Sequence, residues 1–232
     1  TSLREFVARQ YAADEFVTAY GNPFDLRAPD AAFVEGLKAR AGRVKVVYGH
    51  FGYGAHRLLG IDGTRRYVTF LRDPVRRIVS YFGHLSRNPA SRHYPRIQAG
   101  MTLKDMIRRH WVPELNNHMV RMLCGSDRWQ LFVWPPNPPE YPQIDQMFDQ
   151  RHLDEAMEHV WRDFLFVGTV DRYGEGVAAL ARHLGWTGAE AAAGERHNAS
   201  PTPLPEPDAE TLEVIRQYNA LDIALYERGA AA

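Results

Sequence analysis

The residues with the clearest chemical potential fall in one run, Tyr67-Val-Thr-Phe-Leu-Arg72-Asp-Pro74-Val-Arg-Arg-Ile-Val-Ser80-Tyr81. Arg66–Leu71 is nearly all apolar or β-branched and predicts a strand. Asp73 is a good N-cap and Pro74 a good first helical residue, so a helix should follow. Arg72 then leaves the carboxyl end of a strand, the edge at which open α/β sheets bind ligands. The adjoining helix start offers free N–H groups and positive potential to an anion. A guanidinium adds a planar fork that matches phosphate. Ser80 lies two turns into the helix, with Arg76 one turn before it on the same face. Together these groups have the makings of a phosphate site. A plainer reading stands beside it: Arg72 pairs with Asp73 or caps a neighbouring helix, and Ser80 only packs against a strand.

His50 is the candidate base. It follows the β-branched run Val44–Tyr48, a second predicted strand, in Tyr48-Gly49-His50-Phe51-Gly52. The flanking glycines permit close approach of backbone or substrate. An imidazole that is neutral near pH 7 can take a proton from a hydroxyl. The plainer reading is a surface hydrogen-bonding group at a strand end. His56 is the nearest rival, farther from the strand. Ten histidines and one cysteine show no His-Glu-x-x-His and no paired-cysteine spacing, so a metal site has little support. There is no Gly-x-Ser-x-Gly elbow and no dinucleotide fingerprint. Weaker signals are Arg108-Arg109-His110, read as a solvated helix end, and Arg196-His197-Asn198, in a surface loop. Trp134 and Tyr141 belong to a proline-rich loop over 134–142, where they would either stack on a sugar or simply pack.

These residues need a scaffold. Leu3, Phe6, Val7, Tyr11 and Phe16 recur near helical spacing, which predicts a helix over Leu3–Ala19 ended by Asn22-Pro23. Asp30 should cap a second helix reaching Arg40. Further helices are expected over Thr102–Arg109, Asn116–Leu123, Leu153–Trp161 and Gly174–Leu184, the last stopped by Gly185. Asp208 should cap one long final helix to about Glu227. Phe164–Val167 reads as a third strand, and Thr187–Pro207 as loop. Strands alternating with helices imply an α/β fold with a central parallel β-sheet flanked by helices. The 232 residues fit a single domain, 1–232. The pattern calls for one more strand just before Thr1.

Lys plus Arg and Asp plus Glu are equal at 28 each, so no global basic field favours nucleic acid. Cys124 is the single cysteine, which excludes an intramolecular disulfide and fits a reducing compartment. No apolar run approaches the roughly 18 residues of a spanning helix. The Ala- and Arg-rich composition points to a bacterial, cytoplasmic protein, although the chain opens without Met and is compatible with a lost N-terminal anchor.

Phe70-Leu-Arg72-Asp-Pro74-Val-x-Arg77-x-x-Ser80-Tyr81 resembles the 3′-phosphate-binding motif of sulfotransferases that use 3′-phosphoadenosine 5′-phosphosulfate (PAPS). It is most similar to carbohydrate O-sulfotransferases related to heparan sulfate 2-O-sulfotransferase. Asn116-Asn117-x-x-Val120-Arg121-x-Leu123-x-Gly125, Phe166-Val-Gly168-Thr-Val-Asp171-Arg172-Tyr173 and Asp222-x-x-Leu225-Tyr226 resemble further segments of that family in the same order. Thr1-Ser2-Leu3-Arg4 resembles the end of its phosphosulfate loop, whose lysine is absent here. The resemblance implies a P-loop-NTPase-like sulfotransferase fold. It implies that Arg72 and Ser80 hold the 3′-phosphate, that Thr1 and Ser2 bind the 5′-phosphate, and that His50 is the general base. The cofactor would be PAPS, with PAP as product, and the acceptor a carbohydrate or small hydroxyl compound. The rivals are a P-loop kinase-like phosphotransferase and a non-catalytic nucleotide-binding module.

Overall fold

The computed structural model describes residues 2–19, 31–40, 42–58, 61, 65–125, 148–190 and 206–230. Thr1, Asp30 and the expected loops over 134–142 and 191–205 lie outside them. The chain is α/β, with short parallel strand pairs among many helices.

The first expected helix divides in two. α1 covers Ser2–Ala8 and buries Phe6 and Val7. The chain then turns, and Phe16–Ala19 forms strand β1. Helical spacing of Tyr11 and Phe16 misled here because Phe-Val-Thr-Ala finds a strand partner. β1 pairs in parallel with β2, Val46–Gly49, and Glu15 O accepts the N–H groups of Lys45 and Val46 at 2.8 and 3.0 Å. Tertiary pairing outweighs a weak local preference. Helix α2, Ala31–Lys38, connects the two strands, and α3, Ala55–Leu58, follows β2.

β3, Tyr67–Leu71, pairs in parallel with β4, Phe164–Thr169. Among the described residues the expected single central sheet is thus two two-stranded pairs, β1–β2 and β3–β4. A cavity of about 850 Å³ lies between them, lined by Val46–Gly49 on one side and Tyr67–Leu71 on the other. Leu3 and Val7 of α1, Tyr11 just after it, Met119 and Met122 also line it.

α4, Pro74–Arg87, starts as expected and buries Ile78 and Leu85. α5 (Tyr94–Gln98) and α6 (Leu103–Arg108) pack beside it, α6 beginning in a Thr102/Asp105 capping box. A 3₁₀ turn at Pro113–Leu115 precedes α7, His118–Leu123. Asn116 and Asn117 are therefore outside that helix, and Asn117 is left-handed with φ of 41°. α8, Gln150–Asp163, feeds β4. α9, Tyr173–Leu184, ends at Gly185, whose φ of 67° suits glycine.

The final helix is also two: α10, Ala209–Tyr218, and α11, Ala220–Ala230. Asn219 breaks them because its side chain is fully committed elsewhere. Its Nδ2 donates to Leu115 O and Ile215 O at 2.9 and 3.0 Å, and its Oδ1 accepts from Asn117 N at 2.9 Å. Among the described residues no helix is long and apolar enough to cross a membrane.

Candidate active site

β3 ends at Leu71, and Arg72 follows before α4. Asp73 does not pair with Arg72. Its Oδ1 accepts the Arg76 N–H at 2.8 Å, which is the N-cap bond of α4. Arg72 is half-buried and has no hydrogen-bond or ion-pair partner among the described residues. Ser80 is half-buried and likewise makes no hydrogen bond among them.

Arg76 is not available beside Ser80. Its Nη1 meets Asp171 Oδ1 at 2.7 Å, and Asp171 Oδ2 accepts from the Tyr226 hydroxyl at 2.7 Å. This exposed network ties α4 to the turn after β4 and to α11.

Arg77 is the guanidinium that points inward instead, and no role was expected of it. Its Nη1 donates to Glu114 O at 2.7 Å, and its Nη2 lies 3.5 Å from Asp222 Oδ2. Burial lowers its pKa from the usual arginine value, opposed by the charges of Asp222 and Glu114. Arg72 acts on it as a like charge, so the two guanidiniums share one region. Nε and Nη2 of Arg77 and Oε2 of Glu114 are buried without a hydrogen-bond partner among the described residues. Buried polar atoms are seldom left so. Burial raises the pKa of Glu114 and of Tyr81, and Arg121, Arg92 and Arg77 oppose it at Glu114. Arg121 is buried too, its pKa lowered to about 10 mainly by burial, and its Nη1 donates to Asn116 O at 3.2 Å.

β2 positions His50. Gly49 is required at its end: an added Cβ would stand 2.2 Å from Ala19 O on β1. His50 is exposed by surface area, yet neighbouring atoms crowd its ring, and this burial lowers its pKa below 6.5. It is neutral at pH 7. It borders the cavity between the strand pairs. Burial lowers the pKa of His118, at the start of α7, and the charges of Arg77 and Arg121 lower it further. Neither Arg72 nor Ser80 is among the described residues lining the cavity, which is mostly apolar strand surface.

The remaining candidates separate from this region or fall outside description. Ser2 opens α1, and Thr1, the other residue expected at the 5′-phosphate, lies outside the described residues. His56 is buried, with Nδ1 on the Tyr67 hydroxyl. His110 is not solvated as expected but buried, 3.3 Å from Asn116 Nδ2. Arg108 pairs with Glu210 at 3.1 Å. Among the described residues no group of three or more His, Cys, Asp or Glu side chains is arranged to hold a metal ion.

The sequence carried a signal for the residues it left unassigned. Arg77 stands inside the Arg72–Tyr81 run, and Arg121 inside the Asn116–Gly125 segment. Their inward direction follows only from α4 and α7 packing on α11. The chain matches no protein-family model and no curated protein.

Proposed function

We propose that this protein transfers a sulfuryl group from PAPS to a hydroxyl acceptor, a carbohydrate or small metabolite, in the cytoplasm. The observation that carries this reading is Arg72: a half-buried guanidinium without a protein partner among the described residues, between a parallel strand and a capped helix. Ser80 and the unspent buried donors of Arg77 nearby fit an anionic group.

Arg72 and Ser80 bind the 3′-phosphate, and Ser2 with Thr1 the 5′-phosphate. When bound, PAPS supplies an activated sulfuryl group with PAP as its leaving group. His50 orients the acceptor hydroxyl and takes its proton as the oxygen–sulfur bond forms. Its neutral state at pH 7 is what a base requires. Positioning and electrostatics supply the remaining catalysis.

The same proposal assigns the chain to a P-loop-like sulfotransferase fold in one domain. The cleft between β2 and β3 would seat one more parallel strand. Both strands have one partner among the described residues, and both line that cleft.

The test is radiolabelled PAPS with a panel of hydroxyl acceptors. His50→Ala is expected to keep PAP affinity within about twofold and to lose transfer by at least ~10²-fold, the usual contribution of a general base. Unchanged turnover would remove His50 from the mechanism. Magnesium-dependent transfer from ATP, with none from PAPS, would favour the kinase-like reading.

A further inference from the structure

Resting on the reading of His50 as base, we infer that Tyr53 is a positioning residue for His50, fixing the loop that presents the imidazole without touching the reacting atoms. The span from Gly49 to Gly54 leaves β2 with three glycines, at 49, 52 and 54. Such a segment has little stiffness of its own. It is held at two points. Gly49 is pressed against Ala19 at one end. Tyr53 holds the other.

Tyr53 is 3% exposed, unusual for a tyrosine in a connecting loop. Its backbone N–H donates to Met122 O at 2.7 Å, tying the loop to α7. Its ring stacks on His159 of α8 with centroids 3.8 Å apart, and Tyr67 of β3 lies at 5.1 Å. Its hydroxyl donates to Asp163 Oδ2 and accepts from Arg162 Nη2 at 3.2 Å. His159 in turn donates from Nδ1 to Leu123 O at 2.8 Å, so the same ring pair grips the end of α7. The next residue continues the hold: Gly54 N–H donates to the Tyr67 hydroxyl at 3.1 Å.

Tyr53 therefore registers the His50 loop against α7 through its backbone and against α8 and β3 through its side chain. If Tyr53 only filled the core, its loss would lower stability and leave the surroundings of His50 as they are. If it positions His50, its loss releases the loop and the imidazole becomes more fully hydrated.

The test follows histidine Cε1–H signals by NMR through a pH titration, with His50 assigned from His50→Asn. In the wild-type protein His50 should titrate below 6.5. Tyr53→Leu should bring it back toward 6.5 while His93, the residue before α5, stays as in wild type. Tyr53→Phe removes only the phenol oxygen and covers the case in which the leucine variant does not fold. It should shift His50 in the same direction by less. Turnover in Tyr53→Phe should fall roughly tenfold with KM and PAP affinity unchanged, as loss of a hydrogen bond to a charged group allows. A His50 titration identical to wild type in every folded variant overturns the inference. The NMR result does not depend on any acceptor. Absence of sulfuryl transfer in wild type would instead overturn the proposed activity.

Discussion

His50 and His56 stand six residues apart and meet opposite environments. Both line the cavity, but only His50 of the two is exposed to solvent. His56 is buried, and its pKa falls to about 4 through burial first and the charges of Arg65 and Arg57 second. His93, also buried, falls to about 4 through burial and then Arg92 and Arg96. A histidine base acts only when unprotonated. The acid limb of kcat/KM should therefore have an apparent pKa below 6.5 and vanish in His50→Asn, measured as a pH–rate profile. A limb at or above 6.5 would exclude His50. The two buried histidines bear on stability instead. Their folded values lie below the ordinary 6.5, so the unfolded chain binds the protons more readily. Their contribution is complete above pH 6.5 and is lost as pH falls from 6.5 toward about 4. Urea midpoints between pH 7 and 4.5 should fall, and His93→Gln should flatten that fall. An equal fall in the variant would count against it.

At the scale of elements, α7 depends on α11. Asp222 is wholly buried, and its Oδ2 and Oδ1 accept the N–H groups of Met119 and Val120 at 3.0 and 2.8 Å. These are orphan donors of the first turn of α7. Burial pushes the Asp222 carboxyl up, and Arg77 with the two amides opposes it. Asp222→Ala would leave those amides without their acceptor and Arg77 without its ion-pair partner. It should cost about 3–5 kcal/mol by urea denaturation, the cost of breaking a buried pair; a loss under about 1 kcal/mol would contradict this. Gly49→Ala should cost about 1–3 kcal/mol by overpacking against Ala19 and disturb His50 more than Arg72. These dependencies also show what the sequence could reveal. Asp73-Pro74 wrote the start of α4 locally, and Gly185 the end of α9. β1 was invisible because Phe16–Ala19 becomes a strand only through Val46–Gly49. The break at Asn219 was invisible because its partners, Leu115 and Asn117, lie far away in sequence.

For the whole molecule, the candidate site was half legible. Strand-then-helix chemistry marked Arg72 and Ser80, and glycine-flanked chemistry marked His50. The buried company of Arg77, Glu114, His118 and Arg121 came only with packing of α4, α7 and α11. Balanced charge leaves this local cluster, and no global field, to attract an anion. The central claim is that Arg72 holds the 3′-phosphate of the nucleotide. Its most direct test is the thermal midpoint of the intact protein with and without PAP. At about 100 times Kd, binding adds roughly 2.7 kcal/mol. For a chain of this size that raises the midpoint by about 5–10 °C. Arg72→Ala, which removes no internal partner, should keep the ligand-free midpoint within about 2 °C and lose most of the PAP-dependent rise. A rise that is undiminished in Arg72→Ala, or absent from the wild-type protein, would contradict the claim.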